Sequence, residues 1–135
     1  MTTKLDHLAI AVPDLDAALA FYRDALGLDV EGIEDVASEG VRIAFLPLQS
    51  GARIELVQPT RDDTGIVKWM NKHGPGMHHV CLAVPDIESA LSRLAASGCE
   101  LINPQPVARK DGTRYAFIHP RSAFGVLVEL YEKPG

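Results

Sequence analysis

The stretch Asp6-His7-Leu8-Ala9-Ile10-Ala11-Val12-Pro13-Asp14 returns 72 positions later as His78-His79-Val80-Cys81-Leu82-Ala83-Val84-Pro85-Asp86. Each copy reads as a strand of short and branched apolar residues, stopped by a Pro-Asp pair that starts a helix. Ala44-Phe45-Leu46 matches Ala116-Phe117-Ile118 at the same offset, and Ile54-Glu55-Leu56 matches Val128-Glu129-Leu130 at an offset of 74. Each half therefore carries one strand-borne His and one strand-borne Glu. Halves of about 65 residues bury too little surface to stand alone, so the copies are expected to pack as one domain over 1–135.

In the first copy Asp14 suits an N-cap, and Leu15, Ala18, Leu19, Tyr22 and Leu26 fall on one helical stripe. Gly27 stands where a left-handed C-terminal cap would. Asp86, the stripe Ile87, Ala90, Leu91 and Leu94, and Gly98 repeat the arrangement. Shorter apolar runs follow at 28–33, 40–46 and 53–58 in the first half, and at 100–102, 115–118 and 125–131 in the second. The order strand, helix and three strands thus occurs twice, as module 1 over about 4–60 and module 2 over about 76–133. A linker helix is expected between them, within about 62–74, centred on Ile66-Val67-Lys68-Trp69-Met70 and ended by Gly74-Pro75-Gly76.

A net charge of −5 argues against a general nucleic-acid surface, and no run of like charges marks a tail or membrane patch. Met1-Thr2-Thr3-Lys4-Leu5-Asp6 lacks the apolar stretch of a signal peptide, and no segment approaches the length of a membrane span. A cytoplasmic protein with no membrane or nucleic-acid partner is the expectation. Cys81 and Cys99 are not closely spaced and read as free thiols without catalytic duty.

Strand alternation puts Leu8, Ile10 and Val12 on one face and His7, Ala9 and Ala11 on the other. His79, Cys81 and Ala83 repeat the second pattern, so both histidines are expected to point away from the helix, into a concavity lined by small residues. Glu55 and Glu129 each interrupt an apolar strand. Singly, each could be a solvated residue; at matching places in two repeats, they read as metal ligands. Two imidazoles and two carboxylates suit a five- or six-coordinate divalent ion with room for water or substrate. No close-spaced His or Cys pair supports a zinc finger.

Over its whole length the chain resembles the vicinal oxygen chelate superfamily, which includes glyoxalases, bleomycin-resistance proteins and dioxygenases. Within it, His7-Leu8-Ala9-Ile10-Ala11-Val12, Arg53-Ile54-Glu55-Leu56 with Pro59, and Gly76-Met77-His78-His79-Val80 are similar to the methylmalonyl-CoA epimerase family. Ala116-Phe117-Ile118-His119-Pro120 and Gly125-Val126-Leu127-Val128-Glu129-Leu130 look like that family's C-terminal signature. The resemblance implies an α+β fold of tandem βαβββ modules forming a metal-holding cup between two half-barrels. It implies His7, Glu55, His79 and Glu129 as ligands of cobalt, manganese, nickel or zinc, an acyl-CoA substrate, and a homodimer. The sequence departs from the family at Val107-Ala108-Arg109-Lys110-Asp111-Gly112-Thr113-Arg114, where many epimerases are glycine-rich.

The implied reaction epimerises a 2-methylmalonyl thioester through a metal-stabilised enolate. Glu55 and Glu129 are the candidate bases on opposite faces of that enolate, with Glu39 as the alternative. Arg109, Lys110, Arg114 and Arg121 are candidates for the CoA phosphates, or simply solvated. Thr64 either caps the linker helix or helps bind a carboxylate. His119 is a candidate pocket residue, His73 a surface residue, His78 a packed one, and Trp69 an anchor for the linker helix. A glyoxalase I-like lyase is the competing enzyme, an iron dioxygenase ranks below it, and a drug-binding protein of the bleomycin-resistance type is the non-catalytic alternative.

Overall fold

The computed structural model describes residues 2–135 and divides into two compact units, one of His7–His78 and one of the chain up to Asp6 with His79–Gly135. The fold is mixed α+β. In the first unit, β1 (Lys4–Ala11), α1 (Leu15–Leu19), β2 (Gly32–Val36), β3 (Val41–Pro47) and β4 (Arg53–Pro59) follow in order. The strands lie side by side as β2-β3-β4-β1, with β1 parallel to β4 and the other pairs antiparallel. The linker helix α2 (Gly65–His73) follows. In the second unit β5 (Gly76–Ala83), α3 (Ile87–Ala96), β6 (Val107–Ala108), β7 (Arg114–Ile118) and β8 (Val128–Glu132) lie in the order β5-β8-β7-β6, again with one parallel pair, β5 with β8.

Both predicted caps form. Asp14 Oδ1 accepts the backbone N–H groups of Asp16 and Ala17, and Asp86 Oδ1 accepts that of Ser89. Gly27 and Gly98 take φ of 87° and 83°, the left-handed geometry that only glycine adopts without strain. After Gly98 the Cys99 N–H reaches back to Leu94 O, closing the turn as a Schellman motif.

Three elements differ from expectation. The first helix changes after Leu19 into a π-helix over Ala20–Ala25, where Leu26 N–H bonds Phe21 O. The wider turn shifts the helical phase. Tyr22 still packs on the core, whereas Leu26, placed on the stripe from sequence, is left exposed. The run at 28–33 begins its ladder only at Gly32, because Leu28 and Val30 are spent packing under the helix. The run at 100–102 provides a single bridge, Leu101 to Ile118, and the edge strand of that unit lies instead at Val107–Ala108.

The two faces of the first unit's sheet have separate cores. Val12, Leu15, Leu19, Ala44, Leu46 and Leu56 form one beneath α1. Burying Leu46 and Leu56 completely supplies about 2 kcal/mol apiece. On the other face Ala9, Ala11, Val41, Val57 and Ile66 pack together, with Trp69 and Met70 of α2 against them. The small-residue face of β1 is therefore not an open concavity along its length: α2 covers Ala9 and Ala11, whose lack of bulk lets the helix approach. Trp69 anchors that helix as expected, with His78 edge-on to its ring at 5.1 Å. In the second unit Ile87, Ala90, Leu91, Ala116, Ile118 and Leu130 repeat the helix-side core.

One repeated contact escaped the sequence reading. Gln58 Oε1 accepts the N–H of Leu15 at 2.7 Å, and Glu132 Oε1 accepts that of Ile87 at 3.0 Å, so each last strand caps its module's helix. Arg114 donates to Glu132 Oε2 at 2.6 Å, and this guanidinium, with the Ile87 amide second, holds the Glu132 carboxyl below its usual range. Glu132→Ala is expected to cost about 1–3 kcal/mol in urea unfolding at neutral pH. Because the folded carboxyl is the stronger acid, its contribution is complete above the ordinary glutamate range and disappears as pH falls through the lower folded value. The stability gap between wild type and Glu132→Gln should accordingly close in acid.

Candidate active site

In the first unit β1 and β4 run parallel with Ala9 opposite Glu55. This register puts the His7 and Glu55 side chains on one face, with His7 Nδ1 3.2 Å from Glu55 Oε2. In the second unit β5 and β8 place Cys81 opposite Glu129, and His79 Nε2 lies 3.1 Å from Glu129 Oε1. The same strand pairing and register therefore build the same His–Glu pair twice. Within each unit the His and the Glu thus share a face of the sheet.

The solvated-face alternative fails for both carboxylates, since Glu55 is 6% exposed and Glu129 2%. Each strand is covered on both sides, and an ionised carboxylate in such a place costs several kcal/mol unless opposite charge and hydrogen bonds meet it. Arg53 Nη2 donates to Glu55 Oε2 at 3.2 Å, and Arg109 Nη2 stands 3.8 Å from Glu129 Oε2. Among the described residues, no buried side-chain nitrogen or oxygen lacks a hydrogen-bond partner.

Aromatic rings hold these groups in place. Arg53 lies over Phe45 at 5.1 Å, and Arg109 over Tyr115 at 4.4 Å and Tyr131 at 5.3 Å, while donating a hydrogen bond to the Tyr131 hydroxyl. Phe117, the repeat equivalent of Phe45, packs edge-on against His79 at 5.5 Å. Phe45 and Phe117 sit directly across from Glu55 and Glu129 in their ladders.

The arginines proposed from sequence for phosphates have these carboxylate partners. Arg114 is paired with Glu132 and Glu88, and Arg121 with Glu100, so Arg109 is the member of that group brought to a candidate site carboxylate. Thr64 Oγ1 accepts the Val67 N–H and so caps α2. His119, a candidate pocket residue from sequence, caps the short 3-10 turn Pro120–Ala123, its Nδ1 accepting the Arg121 N–H. His73 is exposed and stacks on Trp69. Glu39 lies exposed in the turn between β2 and β3. Cys81 and Cys99 are not joined in a disulfide, and the former is fully buried.

Sequence reasoning missed Arg53 and Asp6. Arg53 could have been found from alternation, since it lies two residues before Glu55 and so on its face. Asp6, 6% exposed and beside His7 in sequence, pairs with Lys133 at 3.0 Å, a contact with no local signal. In each unit one imidazole and one buried carboxylate are donors of the kind that a divalent ion of borderline hardness takes.

Residues 6–117 match the model of the Glyoxalase/Bleomycin resistance protein/Dioxygenase superfamily. The chain is 38% identical over 132 residues to the ethylmalonyl-CoA/methylmalonyl-CoA epimerase of Cereibacter sphaeroides, covering 96% of this chain and 98% of that one. It is also 38% identical over 131 residues to the mitochondrial methylmalonyl-CoA epimerase of Dictyostelium discoideum, covering 96% of this chain and 78% of the relative. Among solved structures, a substituted form of Streptomyces coelicolor methylmalonyl-CoA epimerase in complex with 2-nitronate-propionyl-CoA is similar with a TM-score of 0.86 and 33% identity, over 100% of this chain and 97% of that one.

Proposed function

The chain belongs to the Glyoxalase/Bleomycin resistance protein/Dioxygenase superfamily, and from that premise we propose that it is a metal-dependent epimerase of a 2-methylmalonyl-CoA-type thioester. The buried His–Glu pair, made twice by equivalent strands, carries the reading of the site. The named relatives, epimerases at 38% identity over nearly the full chain, support the reaction class. The same reading takes 1–135 as one domain, an acyl-CoA as substrate, and a cytoplasmic homodimer as the working form.

In this proposal His7, Glu55, His79 and Glu129 hold one divalent ion, cobalt, manganese, nickel or zinc. When bound, it supplies a Lewis acid for the thioester and carboxylate oxygens of the substrate. The protein must also remove the proton from the carbon between those groups and return one to the opposite face. Glu55 and Glu129 are assigned that work, one as base and the other, protonated, as acid. Burial of both carboxylates keeps bulk water from competing for the proton. A carboxylate that is both ligand and base must loosen during turnover, which makes the exposed Glu39 the alternative base.

His7→Ala and His79→Ala should each abolish stoichiometric uptake of metal, read by elemental analysis, together with epimerisation. Full metal content and activity in either variant would remove that histidine from the site. Loss of α-deuterium from labelled methylmalonyl-CoA in ordinary water tests the reaction itself; no exchange above the buffer rate by the metal-loaded protein rejects it. With metal content verified, Glu55→Gln and Glu129→Gln should slow that exchange by about 100-fold or more. Unchanged exchange in both, with loss in Glu39→Gln, moves the base to Glu39.

A further inference from the structure

We infer that Arg53 and Arg109 are positioning residues, each fixing from a ring-packed guanidinium the carboxylate that its own module contributes to the metal. The inference rests on the metal-site reading given above and extends it to two residues outside the ligand set.

The argument starts from where the two arginines come from. The His, the Glu and the aromatic residue opposite the Glu are repeat equivalents in the two modules. The arginines are not. At the offset relating Glu55 to Glu129, the partner of Arg53 is Leu127; at the offset relating His7 to His79, the partner of Arg109 is Ala37. Arg53 stands on β4, two residues before the carboxylate it contacts, whereas Arg109 arrives from beyond the edge strand β6. The guanidinium–carboxylate contact is thus made by two unrelated routes.

The outcomes are alike in kind and differ in closeness, Arg53 donating to Glu55 at 3.2 Å and Arg109 standing at an ion-pair distance of 3.8 Å from Glu129. Each guanidinium lies over aromatic rings and beside one carboxylate, and the two side chains are 31% and 32% exposed against 9% and 3% for the carboxylates. Glu129 divides its oxygens, Oε1 toward His79 and Oε2 toward Arg109. Glu55 presents Oε2 to both His7 and Arg53. A carboxylate on an otherwise apolar strand can rotate about its last bonds; a ring-backed guanidinium with one nitrogen on one carboxylate oxygen limits that rotation. Partners that hold ligating carboxylates in this way tune metal affinity by about 10–100-fold.

The test is titration of metal-stripped protein with cobalt(II), followed by its visible absorption, for wild type and for Arg53→Gln, Arg109→Gln, Arg53→Lys and Arg109→Lys. Each Gln variant should raise the cobalt dissociation constant about 10-fold or more and alter the absorption bands, as the carboxylate reseats. The Lys variants should fall between, because they restore charge without the planar fork. Should a Gln variant not fold, its Lys counterpart decides, with an altered spectrum expected. Wild-type constants and spectra in the folded variants overturn the inference, whatever their stability. A wild-type protein that binds no divalent ion overturns instead the metal reading beneath it.

Discussion

Two carboxylates buried on apolar strands constrain most of what surrounds them. Glu55 and Glu129 cannot remain ionised at 6% and 2% exposure without cationic or hydrogen-bonding partners, and the strand order delivers those partners. Parallel pairing of the first and last strand of each module sets each His beside its Glu. The hairpins then bring up aromatic side chains and a guanidinium on the same face. Folding stability is put at risk at both places by groups that an apolar residue could replace with little loss. That pattern is expected where the groups are kept for chemistry.

Duplication explains the economy of the arrangement and also its limits. Positions that set backbone geometry repeat faithfully: Asp14 and Asp86 as caps, Gly27 and Gly98 as terminators, and the small residues beside each His. Elsewhere the modules have diverged. The first helix widens into a π-turn that the second lacks, the second has lost all but one bridge of its early strand, and the arginines come from different elements. The shared residues account for the superfamily, and the divergent ones carry what is particular to this chain.

Much of this was legible in the sequence because it depends on short-range periodicity. The β1 and β5 strands, both capped helices, α2 and the repeat equivalence of the two His and of the two Glu all follow from spacings within a few residues and one long repeat. The π-turn was not legible, since Ala20 to Ala25 has an ordinary helical composition. Nor was the cover over Ala9 and Ala11, since alternation gives a side chain's face and not what packs on it. Nor was the capping role of His119, which only the turn's hydrogen bond to the Arg121 N–H reveals.

The contact between each last strand and its helix has an implication for the history of the two halves. Where module 1 uses the neutral amide of Gln58, module 2 uses the carboxylate of Glu132, locked to Arg114. Beside the aspartate caps common to both helices, the last-strand contact is thus made in one half by a group indifferent to protons and in the other by a group that titrates. As protons accumulate, the Arg114–Glu132 ion pair that backs the tether of α3 loses its charge, whereas the Gln58 bond to α1 has none to lose, so two copies of one design answer acid unequally at the same contact.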